Sequence, residues 1–200
     1  MRILKLTLFL CFVSYLSFSQ TEKPVNQIDM VGAYVKNNVA RFPELDGGGS
    51  VVSGAGLCIG ANYSRKITKR IWINSGINFQ QTVNDFNPAP TGMPIVTIEN
   101  LKTNLLRAPL KIRIDLFRWF YIKTGCVFDF QIGNKNVSYI DDQSGIAYAL
   151  SVGLNLKIYK QIYLNLEPEI GYTTLITFNP QENQQHFLLS TVNFGIGYRF

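Results

Sequence analysis

The sequence predicts an all-β protein, an eight-stranded antiparallel up-and-down transmembrane β-barrel with short periplasmic turns and longer extracellular loops. Three observations lead there: strict alternation ending on an aromatic residue, eight alternating segments, and connections that are long and short by turns. Counting back by twos from Phe200 gives Tyr198, Ile196, Phe194, Val192 and Leu188, with only Ser190 interrupting the large apolar residues. The intervening residues Arg199, Gly197, Gly195, Asn193 and Thr191 are small or polar. A last strand that must seal an outer-membrane barrel with its apolar face toward lipid reads this way. Phe200, Tyr198, Ile196 and Phe194 are accordingly expected to form the C-terminal signal for barrel assembly.

The N-terminus begins with Arg2 and Lys5, continues through the apolar stretch Leu6 to Leu16, and closes on Ser17, Phe18 and Ser19 before Gln20. Residues 1–20 therefore read as a cleaved secretory signal peptide and 21–200 as one barrel domain. Cys11 lies inside the apolar core of that segment after Phe9 and Leu10, which argues against a lipoprotein signal. After residue 20 no stretch of about 18 apolar residues remains, so a membrane can be crossed only by a closed barrel.

Eight alternating segments follow, at 28–39, 51–65, 70–84, 98–116, 119–133, 146–158, 162–176 and 186–200. The first, third, fifth and seventh connections are long and the others short, a rhythm that puts both termini in the periplasm. The long loops carry loop residues: Gly47, Gly48 and Gly49 in the first, and Asn87, Pro88, Pro90, Gly92 and Pro94 in the second. No Gly-Lys-Ser/Thr sequence follows the triple glycine, so it reads as a surface loop rather than a phosphate cradle. Asp141 and Asp142 are adjacent acids without the spaced oxygen ligands of a calcium loop. Pro109 and Pro168 each remove a ladder hydrogen bond inside a segment, and bulges are expected there; a break of the seventh strand at Glu167 to Glu169 is the rival reading.

One parity in each segment carries no Asp, Glu, Lys or Arg: odd residues Val31 to Val39, Ala55 to Tyr63 and Ile71 to Val83, then even residues from Asn104 to Phe200. The opposite faces hold Lys36, Arg107, Lys111, Arg113, Asp115, Lys123, Asp129, Lys157, Glu167, Glu169 and Arg199. Alternation alone would also suit a soluble barrel turned inside out, and size decides between them. Eight strands enclose an interior only just wide enough for side chains. The charge-free face is bulky with Leu, Ile, Phe and Tyr, whereas the other carries most of the strand glycines, so the bulky face points to lipid. Aromatic residues mark two girdles: Phe117, Trp119, Phe120, Tyr159, Tyr198 and Phe200 at the periplasmic rim, and Phe130, Tyr148, Tyr172 and Phe178 at the other.

Symmetric pairing about the short turn at Phe117 and Arg118 places Arg107 opposite Asp129. Glu167 and Glu169 project into the same space as Lys111, Arg113 and Lys123, and the seven charges are expected to form an ion-pair network filling the lumen. The alternative of an ion path or gating plug asks for more open lumen than eight strands leave. The chain holds 19 Lys and Arg against 13 Asp and Glu, a net charge of +6 that falls to +4 without Arg2 and Lys5. This excess is scattered, with no Lys/Arg-rich run or nucleic-acid motif, which favours solvated surface and lumen charge over nucleic-acid binding. Cys58 and Cys126 fall on opposite faces and read as packing residues, with no metal site and no cofactor. His186 is the sole histidine. It shares a face with Ser190, but about 13 Å of strand separates them, beyond the reach of a nucleophile and its base.

The segment Leu105, Leu106, Arg107, Ala108, Pro109, Leu110, Lys111 and Ile112 resembles the "leucine, two residues, Pro-Leu, aliphatic-Lys" strand of small Bacteroidota outer-membrane barrels of the PorT-like type. The signal ending in Phe18, Ser19 and Gln20 fits the same source. The resemblance implies residence in the cell outer membrane, contact with outer-membrane lipid and insertion by the barrel-assembly machinery. It further implies either a non-enzymatic structural or accessory role, or a place in a secretion or surface complex. A lipid-modifying enzyme and a narrow pore are the alternatives from other classes.

Overall fold

Alternation of this kind pairs edge to edge until no edge remains, and the computed structural model shows that outcome. It describes residues 25–41, 50–51, 53–87, 98–133, 141–179 and 185–200. The strands are β1 (Asn26–Arg41), β2 (Ser50–Val51), β3 (Gly54–Lys66), β4 (Ile71–Asn87), β5 (Ile98–Asp115), β6 (Phe120–Ile132), β7 (Gly145–Tyr159), β8 (Ile162–Thr177) and β9 (Gln185–Arg199). The two-residue β2 pairs with the far end of β4, so the wall proper is β1 and β3 to β9. Each wall strand pairs antiparallel with its sequence neighbour, β1 pairs with β9, and β4 with β5, which closes the sheet. The triple glycine, the loop prolines from Pro88 to Pro94 and the signal segment lie outside the described residues.

Closure fixes the dimensions. A path across paired residues from Lys36 runs through Ser190, Ile170, Leu150, Thr124, Ile112, Ile73 and Arg65 and re-enters β1 at Asn26, ten residues from its start. Eight strands with that stagger tilt by about 43° and enclose a backbone radius of about 8 Å. Such a lumen holds side chains and little else. One rim carries the tight connections at 67–70, 116–119 and 160–161 together with the start of β1 and the end of β9; we call it the turn rim and the other the loop rim. Lys160 turns the chain between β7 and β8 with φ 36°, the left-handed conformation that tight hairpins need.

The expected outer face is exposed on seven of the eight wall strands, from Leu57, Ile59 and Ile77 to Phe194, Ile196 and Tyr198. The first strand is a correction. Its odd residues Ala33, Val35 and Asn37 are buried, whereas Ile28, Met30, Tyr34 and Lys36 are exposed, so Lys36 stands on the outer face and not in the lumen. The reason lies in two changes of environment along one strand. Toward the turn rim the lumen is polar and β1 contributes Gln27 and Asp29. Farther along, the lumen holds an apolar cluster, to which β1 contributes Ala33 and Val35 beside Cys58, Phe187 and Leu189. Since the side-chain period is two, reading the apolar upper half as lipid-facing reverses the whole strand. Lys157 is likewise exposed near the turn rim rather than enclosed.

Pro109 and Pro168 do not cause bulges. The register of β5 on β6 and of β8 on β9 passes through both without a shift. Ladder pairing lapses instead on the other side of each proline, between Ser75/Leu110 and Asn78/Arg107 and between Ser151/Glu169 and Leu154/Leu166. A residue without an N–H can keep its place in a strand if the missing bond falls on one neighbour only. β8 is also continuous through Glu167 to Glu169. Its register on β7 shifts elsewhere, between Ile146 and Tyr148 opposite a Thr174 with φ 52°, and between Lys157 and Tyr159 beside the turn.

The seam is tied at its foot by reciprocal backbone bonds, Asn26 N to Phe200 O and Phe200 N to Asn26 O, both 2.8 Å. Phe200 also stacks on Tyr198 with ring centroids 6.1 Å apart. Deleting Phe200 is expected to lower the yield of folded barrel in the membrane, read as loss of the heat-resistant compact band on gels. A truncated protein that inserts and resists heat like the full chain would refute the assembly role.

Candidate lumen site

The inward charges form layers, each set by the register. At the turn rim Arg199 donates to Gln27 Oε1 (2.7 Å) and Asn155 Oδ1 (3.1 Å), and its guanidinium lies 3.9 Å from the Tyr163 ring centroid. Nearby, Asp115 accepts from Trp72 Nε1 and Arg113 Nε, each at 2.7 Å. Arg113 stacks over Tyr121 at 4.0 Å. One layer higher, Asp29 Oδ1 accepts from Gln27 Nε2 and Asn165 Nδ2, both 2.6 Å, and Asn165 is in turn bonded by Asn155.

The middle of the lumen is crossed by ion pairs between strands that are not adjacent. Glu167 on β8 receives Lys123 Nζ at 2.5 Å and Tyr121 OH at 2.6 Å, both from β6, and Ser151 Oγ at 2.9 Å from β7. Glu169 receives Lys111 Nζ from β5 at 2.6 Å. Above them Arg107 pairs with Asp129 directly opposite on β6, Nε to Oδ1 at 2.8 Å, and donates to Gln80 Oε1 at 2.9 Å. Tyr121 reaches Glu167 by lying across Gly153, where a Cβ would overlap its ring.

Arg107, Lys111, Arg113, Lys123, Asp129, Glu167 and Glu169, the seven charges anticipated from the sequence, are all buried. The pairings differ from a general mixture: Arg113 is joined to Asp115, not to either glutamate. Sequence reasoning missed Asp29, whose strand was read inside out. It also missed the neutral members Tyr121, Trp72, Ser151 and Asn165, for which inward parity was the available signal. With Asp29, Asp115 and Arg199 included, five cations accompany five anions, and half-buried Lys66 adds a further cation over Trp72 at the turn rim.

Around the level of Arg107 and Asp129 the lumen also holds two apolar clusters, Ala33, Val35, Cys58, Phe187 and Leu189 on one wall and Val127, Ala147 and Ala149 on the other. Toward the loop rim buried Asn37, Thr82, Asn84 and Thr103 face inward, and a polar latch lies beside them. Buried Gln143 donates to Gln185 O at 3.0 Å and accepts from Thr173 Oγ1 at 2.9 Å, and Asp141 Oδ2 accepts Gln185 N at 2.8 Å. Asp142 caps its own turn by accepting Ser144 N and Oγ. The paired acids thus serve N–H and O–H donors as ordered loop ligands. Among the described residues the lumen cavity is about 50 Å³, lined in part by Asn62, Asn78 and Thr191, whose side-chain oxygens have no protein partner. That space suits a few ordered waters and not a continuous channel.

Cys58 is buried in the lumen and Cys126 exposed on the outer face, both free. His186 stacks on Tyr172 at 5.2 Å and shares a 2.8 Å hydrogen bond with Thr174 Oγ1. It packs at the loop rim against Thr174, which is itself buried, rather than against Ser190.

A closed eight-stranded wall, a bulky apolar exterior and an ion-paired interior together decide the architecture. The fold is that of the small outer-membrane β-barrels. OprG from Pseudomonas aeruginosa superposes on it with a TM-score of 0.52 at 10% identity, covering 88% of this chain and 95% of OprG. Ail, the attachment invasion locus protein of Yersinia pestis, in complex with the heparin analogue sucrose octasulfate, is similar over 90% of this chain and 100% of its own, at 14% identity and a TM-score of 0.43. The outer membrane protein AlkL in lipid bilayers is similar over 91% of this chain and 94% of its own, at 14% identity and 0.46. The chain matches no protein-family model and no curated protein sequence.

Proposed function

We propose that this chain is a non-enzymatic integral outer-membrane barrel, a structural or accessory envelope protein whose loop rim faces the outside and whose termini lie in the periplasm. The observation that carries this reading is the filled lumen, in which four ion pairs, two of them spanning the bore, lie among apolar clusters. A wall that faces lipid and a bore that is full leave the loops and rims as the surfaces for any partner protein, including one from a secretion complex. The exposed aromatic residues support the depth of insertion: Phe117 and Trp119 stack at the turn rim, and Phe130 and Phe178 meet at the loop rim.

In planar bilayers the purified barrel is expected to give no discrete conductance steps. Reproducible single-channel steps, lost when the inserted species is removed by antibody, would overturn the closed-lumen reading. Orientation is tested separately with a membrane-impermeant maleimide in a background lacking Cys126. Lys102→Cys on the loop side is expected to label on intact cells and Arg118→Cys only after lysis; the reverse pattern would invert the topology.

A further inference from the structure

Among the described strand residues, Gly32 on β1 is the one glycine on the outer face. Most lumen glycines are crowded by their neighbours: a Cβ at Gly60 would lie 2.7 Å from Asn78 Cα, and one at Gly76 would lie 2.6 Å from Ala61 O, whereas Gly171 is in ordinary contact only. A Cβ at Gly32 would meet nothing within 4 Å. Glycine weakens a strand, and the barrel's own packing gives no reason for it here. In a strand such a residue marks a place where another molecule comes close to the backbone.

Gly32 lies in the floor of a furrow of about 810 Å³ on the outer face, bounded by Met30, Ile59, Ile77, Phe79 and Phe194 and deepened by Ala61. Lys36 stands on the same face of β1, four residues nearer the loop rim, about 13 Å away by the strand rise. Its cross-strand neighbours are Ala55 and Ser190, small and uncharged, so the wall supplies no anion beside the ammonium. An apolar trough below and a single cation above match an amphiphile with an anionic head.

We propose that Gly32 and Lys36 define a specific site for one phosphorylated, multiply acylated glycolipid of the outer leaflet, of the lipid A class. The phosphate is held by Lys36 and an acyl chain lies along the furrow over Gly32. The choice of leaflet rests on the proposed orientation of the loop rim. A second copy of the barrel packed on this face by two-fold symmetry would bring another lysine and no anion, which disfavours that occupant.

The test is native mass spectrometry of the detergent-released barrel titrated with monophosphoryl lipid A. The expected result is one bound lipid per barrel, with affinity reduced at least tenfold in Gly32→Leu and several-fold in Lys36→Gln, and restored in Lys36→Arg. Lys157→Gln at the turn rim is expected to bind as the parent does. Open space at Gly32 lets the leucine variant fold, which heat-resistant mobility on gels verifies. Equal binding by the parent, Gly32→Leu and Lys36→Gln would overturn the site. A lipid-free dimer dissolved by Gly32→Leu would overturn it in favour of a second copy. Preference of the same residues for phosphatidylglycerol would overturn the lipid class and count against the assumed leaflet, while the conductance result would stand untouched.

Discussion

Replacing Glu167 with alanine is expected to cost about 3–5 kcal/mol of stability, the range seen when one member of a buried ion pair is removed. Glu167 is the acceptor for Lys123, Tyr121 and Ser151 at once. Its loss leaves an ammonium and a phenol in a lumen with space for only a few waters. Glu167→Gln keeps an acceptor oxygen for Tyr121 or Ser151 and loses only the charge, so its cost falls between the parent and alanine. Equilibrium unfolding in detergent micelles, followed by tryptophan fluorescence, measures both. A cost below about 1 kcal/mol for the alanine variant would mean that Lys123 finds water readily, contrary to a closed bore.

The second large effect concerns Arg107 and Asp129, which face each other across one rung and are both buried. Asp129→Ala alone is expected to cost about 3–5 kcal/mol by stranding the guanidinium. Removing both partners in Arg107→Met with Asp129→Leu is expected to cost much less than the sum of the single changes. Two apolar side chains there would pack between Val127 on one side and Leu105 on the other. A double-mutant cycle reads the coupling directly, and additivity within about 0.5 kcal/mol would show that the pair acts independently.

Most of the wall was legible because lipid enforces alternation severely. From β3 to β9 a large apolar residue recurs on the exposed face, and the glycines fall inside. The one reversed strand, β1, shows where that logic stops. Gln27 and Asp29 declare the lumen near the turn rim, but Ala33 and Val35 look like lipid-facing residues because the bore beside them is apolar. Lys36 then looks like a lumen charge, although it reaches the loop-side end of the apolar belt. A strand that changes surroundings on both faces halfway along cannot be oriented from its upper half alone. Arg107 and Asp129 were readable because a tight turn sets the register of adjacent strands. Lys111 with Glu169 and Lys123 with Glu167 were not, since such contacts span the bore between strands several places apart, and no local spacing encodes them. The prolines differ again: a missing N–H suggests a distorted ladder, whereas here it silences only one side.

The bonds that cross the bore have a kinetic meaning as well. Lys111 and Glu169 are 58 residues apart in sequence, and Arg199 and Gln27 are 172 apart. Neither pair can be made within one hairpin: the first needs β5 to β8 assembled and curled, and the second exists only after the first and last strands have met. The chain therefore bears the entropy of closing its longest loop before its most distant partners can contribute, which places this barrel among slow folders with late, concerted consolidation. Until that moment ten ionised groups line one face of an open, curling sheet. An insertion route that shields this face from hydrocarbon until the seam shuts would remove the largest obstacle on the way to the native state.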